Sequence, residues 1–482
     1  MRTYKRKNST YVQIVYKNGR RISKIRHLGT AHNQIELDLL IIKAKQLLID
    51  PAQQELFVTP SEVSNIMLER TASKLLYGLI LKTYDTLGFS ILKDKIFRDL
   101  VIARIIEPTS KLDSIRVFEE LGLHDVSKST IHRSLAKINA KNYRKQISKI
   151  CVNQRKIHSS SVLLYDVTTL YFETLKEDET RIPGLSKERR LEPQIVIGLL
   201  VDQYGFPLSL QMFSGNTAET KTIIPVLKEF RNEHNIETMT VVADAAMLNR
   251  GNIEKLVQNN FKYILGSRQH KMPFAIEEYL ETHVNPVDLD ITENILNDGS
   301  RAIYQYSLKR AKLDLKNLEK QVEKAKRIIN GIGRLKKNKF VKMDSKNKRL
   351  DFQRIEKNRK LAGFKGYITN LDLPAQSIIK YYHDLWHVEA SFRMSKSDLK
   401  ARPVFHRKEE SIEAHLTIVI TALAIAKSME EKSGMAVKKI IGLLKPLRTG
   451  ILLNKNSGER MEIEPQIPQN LAQLITGLSR GY

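Results

Sequence analysis

From residue 162 to residue 267 the chain alternates short apolar runs with helical periods, and two of the runs carry an aspartate. The first reads Val162-Leu163-Leu164-Tyr165-Asp166-Val167-Thr168. The fourth reads Val241-Val242-Ala243-Asp244-Ala245. Short runs rich in β-branched residues and bounded by turn signals predict buried strands. Strands are expected at 162–172, 195–202 and 206–213, with Tyr204-Gly205 as the hairpin turn between the last two. A helix at 220–234, a strand at 239–245, a helix at 249–260 and a strand at 262–267 follow. The order is β-β-β-α-β-α-β. A carboxylate carried into such a sheet has to be paired, hydrogen-bonded or bound to metal.

A third carboxylate lies far downstream, in Tyr382-His383-Asp384-Leu385-Trp386-His387-Val388-Glu389 and on to Lys396. Tyr382, Glu389 and Lys396 stand at i, i+7 and i+14, so one continuous helix sets all three on one face. Singly, each acid has a plain explanation: Asp166 and Asp244 as hydrogen-bonded or paired strand residues, Glu389 as an ion pair with Arg393 at i+4. Together, two strand carboxylates and one helix carboxylate form a donor set for divalent metal. Two such ions about 3.5–4 Å apart activate an attacking oxygen and stabilise a leaving one in phosphodiester cleavage. Mg2+ takes oxygen ligands and keeps several waters, and two Mg2+ ions, with Mn2+ as substitute, are the expected cofactors. Asp202 is read as a turn residue, and Glu173 and Asp384 are not expected to be ligands. Aspartates on the first and fourth strands of this order match a ribonuclease-H-like core. The fold class is therefore α/β, with that core interrupted by an inserted subdomain and preceded by a mostly helical, DNA-binding N-terminal region.

The remaining segments are ordered around this core. Residues 1–60 read as a basic hairpin and helix, with Asn18-Gly19 as the turn and a helix over residues 34–48. Residues 61–155 read as helical. Within them 113–120 and 128–138 form two helices around a Gly-containing joint, with Ser127 or Ser129 as N-cap. A helix-turn-helix that exposes Ser129, Thr130, His132 and Arg133 to DNA, and an ordinary helical hairpin, both fit this pattern. Residues 156–269 and 367–430 are the two parts of the core. Between them, 270–366 is too long for a structureless loop and reads as a basic inserted subdomain. Its Leu308, Ala311, Leu315, Leu318, Val322, Ala325 and Ile329 form a heptad seam, expected to pack within its own domain. Apolar helices at 411–428 and 436–447 are expected to cover the sheet, and 431–482 is assigned as a helical C-terminal region. Thr217 or Thr220 is expected to cap the helix at 220.

The formal charge is +27, which points to a polyanionic partner, nucleic acid first. It is concentrated: residues 1–30 hold nine Lys/Arg and no acid, and residues 301–360 hold 21 Lys/Arg against six Asp/Glu. The rest is nearly neutral. Lys396, Lys400, Arg402, His406 and Arg407 form a further basic run suited to phosphate contact. The single cysteine, Cys151, excludes an internal disulfide and a cysteine-based zinc site and fits a reducing cytoplasm. The longest apolar run, 416–426, is short of the ~20 residues that span a bilayer, and no membrane partner is expected.

The stretch from about 160 to 425 resembles a DDE transposase of a bacterial insertion sequence. It is most similar to the insertion-sequence-four superfamily, whose signature spaces Tyr, Arg, Glu and Lys as Tyr382, Leu385, Glu389 and Lys396 are spaced here. Leu385 departs from the signature arginine, and Arg393 is a candidate for the missing charge. The Asp166 and Asp244 strands and Gly215-Asn216-Thr217-Ala218-Glu219 are similar to the family's other blocks. The resemblance implies that Asp166, Asp244 and Glu389 are catalytic metal ligands and that Tyr382 and Lys396 contact DNA phosphates near the cleaved end. It further implies cleavage at the element's terminal inverted repeats, joining of the 3′-hydroxyl ends to target DNA, and a homodimer on paired ends in the bacterial cytoplasm. A metal-dependent nuclease or resolvase without strand transfer, and a non-catalytic DNA-binding regulator, are the alternatives.

Overall fold

The computed structural model describes residues 1–6, 9–19, 21–32, 34–48, 66–124, 126–174, 176–184, 191–247, 249–269, 271–332, 338–343, 348–455 and 457–479. The chain divides into two compact units. One comprises residues 1–150, 397–400 and 406–482, and the other 151–396 and 401–405.

In the first unit, β1 (Arg2–Arg6), β2 (Ser9–Asn18) and β3 (Arg21–Ala31) form an antiparallel sheet in that order. The expected hairpin is present, its turn made at Gly19 with φ +62°, and β1 adds a third strand. Helix α1 (Gln34–Leu48) packs on it, burying Ala44 with Val12 and Ile14. Then follow β4 (Ile66–Ala72), α2 (Lys74–Thr86), α3 (Lys95–Ile106), α4 (Ser114–Glu120), α5 (Lys128–Ala140) and α6 (Tyr143–Gln154). Asp94 and Ser127 cap α3 and α5 by accepting from Phe97 N at 3.0 Å and Thr130 N at 3.2 Å. Residues 66–72 are a strand, contrary to the helical reading of this stretch.

The second unit carries β5 (Val162–Tyr171), β6 (Gln194–Asp202), β7 (Pro207–Ser214), α7 (Ile223–His234), β8 (Thr240–Ala243), α8 (Arg250–Gln258) and β9 (Lys262–Ser267). It continues through α9 (Phe274–Thr282), β10 (Ile291–Ile295), β11 (Arg301–Tyr306), α10 (Leu308–Ile329), β12 (Val341–Met343), β13 (Lys348–Leu350) and α11 (Phe352–Lys360). It ends with β14 (Phe364–Thr369), α12 (Ala375–His383) and α13 (Trp386–Ser397). One eight-stranded mixed sheet is central, in the order β10-β11-β14-β9-β8-β5-β6-β7. β5, β8 and β9 run parallel, and the remaining pairings are antiparallel. All nine residues of β6 are buried, as for a strand covered on both faces.

Two expectations change here. The inserted stretch is only partly separate, because β10, β11 and β14 lengthen the central sheet. Only the far part of α10, with β12, β13 and α11, makes its own small core, around Leu318, Ala325, Phe340 and Ile355. The heptad seam is filled from within the chain at Ala311, Leu318 and Ala325, one residue per heptad. Before α7, a 3-10 turn at 219–221 separates Thr217 and Thr220 from the helix start, so neither caps it; Thr222 stands there instead.

The first unit is completed by α14 (Glu409–Ser433), α15 (Val437–Leu444), β15 (Thr449–Asn454), β16 (Arg460–Ile463) and α16 (Gln469–Ser479). β15 pairs with β4 and β16, so the C-terminal region is not wholly helical. Helix α14 is long and apolar enough to cross a membrane by length and composition alone, yet 89% of that window is buried. It packs on α2, α3, α5, α15 and α16. A helix apolar all round has to be enclosed, and here helices enclose it.

Candidate active site

Strands β5 and β8 are parallel neighbours with Leu163 opposite Val241, Leu164 opposite Val242 and Tyr165 opposite Ala243. Asp166 and Asp244 are the residues that immediately follow the last of these pairs, on adjacent strands of a sheet whose neighbours lie about 4.8 Å apart. Asp166 is half-buried and Asp244, just past the end of β8, is exposed. A 3-10 turn over Ala245–Met247 follows, in which Met247 N donates to Asp244 O at 2.9 Å.

Tyr382 fixes Asp244. Its hydroxyl donates to Asp244 Oδ1 at 2.9 Å. The side chain is 6% exposed and lies over Gly266 of β9, where an added Cβ would meet the hydroxyl and two ring carbons. Its ring meets Tyr367 edge-on at 4.9 Å, and Lys365 Nζ sits 4.4 Å from its centroid. Burial, and next the charge of Asp244, push the Tyr382 phenol far above its ordinary value, so it remains a donor. Burial holds the Lys365 ammonium below its usual pKa, Arg310 lowers it further, and Asp244 and Glu389 oppose the shift. Lys365 therefore lies within electrostatic reach of both acids.

The single helix expected through Tyr382, Glu389 and Lys396 is broken. Tyr382 is on α12, Glu389 and Lys396 on α13, and Asp384 and Leu385 form the joint. Across it the bonds run i to i+3: Leu385 N to Tyr382 O at 3.2 Å, His387 N to Asp384 O at 2.9 Å and Val388 N to Leu385 O at 3.2 Å. This tighter winding turns Tyr382, Leu385 and Val388 inward together, while Glu389 stays exposed. Leu385, at the signature arginine position, is a core residue. Ser391, fully buried, donates to Gly205 O at 2.7 Å and so ties α13 to the β6–β7 turn.

The other expected residues fall as follows. Arg393 is exposed and Lys396 half-buried on α13. Arg402 lies over the Tyr171 ring at 5.6 Å, where Val404 bridges to Phe172 at the end of β5. Lys400 and Arg133 are exposed and belong to the first unit. Asp202 is a turn residue: Oδ1 accepts from Tyr204 N and Phe206 N, both at 2.9 Å, and Oδ2 from Arg155 Nε at 2.6 Å. Lys365, Gly266 and Ser391 were not foreseen. A lone glycine inside a strand does signal close approach, and Gly266 could have been found that way.

Among the described residues no three His, Cys, Asp or Glu side chains gather closely enough to form a metal cluster. Asp166 and Asp244 are nonetheless oxygen donors of like charge on adjacent strands, a kind of donor set suited to a hard divalent cation.

The sequence profile of the family described as "Transposase DDE domain" matches residues 157–425. No curated protein matches the chain. A solved structure titled "Cryo-EM structure of piggyBac transposase synaptic complex with hairpin DNA (SNHP)" aligns with 84% of this chain and 74% of its own at 11% identity, with a TM-score of 0.37.

Proposed function

The chain belongs to the transposase DDE domain family, and from that premise we propose that it is an active insertion-sequence transposase of the insertion-sequence-four superfamily. It binds the terminal inverted repeats, hydrolyses a phosphodiester at each end and joins the freed 3′-hydroxyl to target DNA. What supports this reading is the parallel β5–β8 register, whose last pair, Tyr165 and Ala243, immediately precedes Asp166 and Asp244, together with the Tyr382 hydroxyl on Asp244 Oδ1. The β-β-β-α-β-α-β order of the parallel and antiparallel strands supports a ribonuclease-H-like core.

In this reading Asp166 and Asp244, with Glu389 as the third ligand, would hold two Mg2+ ions, and bound metal would supply activation of the attacking oxygen and stabilisation of the leaving one. Tyr382 holds Asp244 in one orientation and leaves Oδ2 free of that bond. Lys365 offsets the mutual repulsion of the acids before DNA and metal arrive. Arg393, Lys396, Lys400 and Arg402 take DNA phosphates, with Arg133 in end recognition. The protein acts as a homodimer on paired ends in a bacterial cytoplasm.

The test incubates purified protein and Mg2+ with labelled DNA carrying the element's ends and a target plasmid, beside Asp244→Ala. The expected result is end cleavage and joining, both lost in the variant. Cleavage without joining would replace this reading by a nuclease, and binding without cleavage by a regulator.

A further inference from the structure

Among the described residues, the first unit buries two cations that have no carboxylate partner. Arg104, in the last turn of α3, and Lys111, in the segment after it, are each 6% exposed. Arg104 Nε is buried with no hydrogen-bond partner, and among the described residues neither side chain has an ion-pair partner. His406 precedes α14, and its ring stands 5.5 Å from that of His415 on α14. Helix α14 packs on both α3 and α5, and His132 lies on α5. Burial, then Lys111, Arg104 and His132, pull the His406 pKa down to about 4. Burial alone brings Arg104 down to about 10. Burial and then Arg104 hold Lys111 well below its usual value. No carboxylate is among the groups shifting these three.

The acids of these helices bond to other groups. Asp99 binds Arg98 and the Tyr77 hydroxyl through Oδ1, while its Oδ2 is buried without a hydrogen-bond partner. Glu107 pairs with Arg116 and Lys445, and Glu413 with Arg144. A buried, unpaired guanidinium beside a buried lysine is strongly unfavourable unless an anion joins them. The group is not sealed, since His132 is exposed and His406 half-buried. Exposed Lys128 and Arg133 continue the positive charge along α5, which suits an extended polyanion better than a lone ion.

We propose that Arg104 and Lys111, with His406 and His132 at the mouth, form a phosphate well in the helical unit that takes a backbone phosphate of duplex DNA. It rests on the reading of the protein as a DNA transposase. Arginine presents a fork that matches phosphate oxygens, and lysine adds a point charge. A contact of this kind positions the duplex without reading its sequence.

The test uses the full chain, duplex DNA of the element ends, and the variants Arg104→Met and Lys111→Met. Removing an unpaired buried charge should leave the DNA-free melting temperature equal to the wild type's or higher. DNA affinity should fall severalfold on every sequence, and the slope of log affinity against log salt should drop by about one. Wild-type protein that binds no DNA would refute the functional reading. Wild-type binding that both variants match in affinity and slope would overturn the well alone. Variants that melt below wild type without DNA would overturn it too, because the cations would then be structural. Inorganic phosphate that raises the melting temperature of wild type but not of Lys111→Met, at an unchanged DNA slope, would overturn the assignment to DNA.

Discussion

Gly266 and Tyr382 form a lock whose energetics can be worked out. Gly266→Ala in a strand should by itself stabilise slightly, by about 0.4–1 kcal/mol through the unfolded chain. Here the new Cβ would meet the Tyr382 hydroxyl and come within 2.9 and 3.0 Å of its ring carbons, and overpacking of this kind costs about 1–3 kcal/mol. Tyr382 is held by Tyr367 and Lys365 and cannot retreat cheaply, so a net loss of about 1–2 kcal/mol is expected. Tyr382→Phe keeps the ring and loses the bond to Asp244, at the low end of about 1.5–3 kcal/mol because the exposed carboxylate is rehydrated. In the double variant the nearest clashing atom is already gone. The combined loss should fall short of the sum by about 1 kcal/mol. Urea unfolding of the four proteins, followed by tyrosine fluorescence and circular dichroism, gives the cycle. DNA cleavage should fall in both single variants while DNA binding holds. Additivity within about 0.3 kcal/mol, or full cleavage in Gly266→Ala, would refute the lock.

Further expectations concern the supports of the site and the helical unit. Ser391→Ala should cost about 1–2 kcal/mol by orphaning the Gly205 carbonyl, and should lower the cleavage rate more than DNA affinity; equal losses would contradict its role in placing α13. Thr222→Val removes the 2.8 Å partner of the buried Tyr165 hydroxyl and should cost about 1–3 kcal/mol, read by thermal unfolding. His406 has a folded pKa of about 4 against about 6.5 unfolded. The unfolded chain therefore binds the extra proton between those values, and stability should rise with pH across that window, by up to about 3 kcal/mol. Arg104, Lys111, His132 and His415 are the groups that face it. His406→Asn should flatten the rise, and an unchanged slope would contradict the burial argument.

The local parts of the fold were legible because their signals are local. The apolar runs around Asp166 and Asp244, the Asn18-Gly19 turn and the helical patterns at 34–48 and 128–138 each carry their own period or turn chemistry. What could not be read depends on distant partners. β4 is a strand because β15, nearly 400 residues later, pairs with it. β10 and β11 join the central sheet only through β14. Helix α14 shows that burial on all sides can be read from composition while the enclosing partner cannot. At the site, the seven-residue spacing of Tyr382 and Glu389 suggested one helical face, but the i to i+3 bonds at Leu385 separate the two. Lys365 comes to Asp244 across 121 positions of chain, with no motif of its own.

The central claim is that Asp166, Asp244 and Glu389 bind metal at one DNA-cutting site, and ligand softness tests it directly. Each is replaced in turn by cysteine, and single-turnover cleavage of end DNA is measured in Mg2+ and in Mn2+. Thiolate is a poor ligand for Mg2+ and a better one for softer ions. The account predicts that all three variants are inactive in Mg2+ and regain cleavage in Mn2+. A variant that cuts at the wild-type rate in Mg2+ would contradict the assignment of that residue, and three such variants would contradict the site.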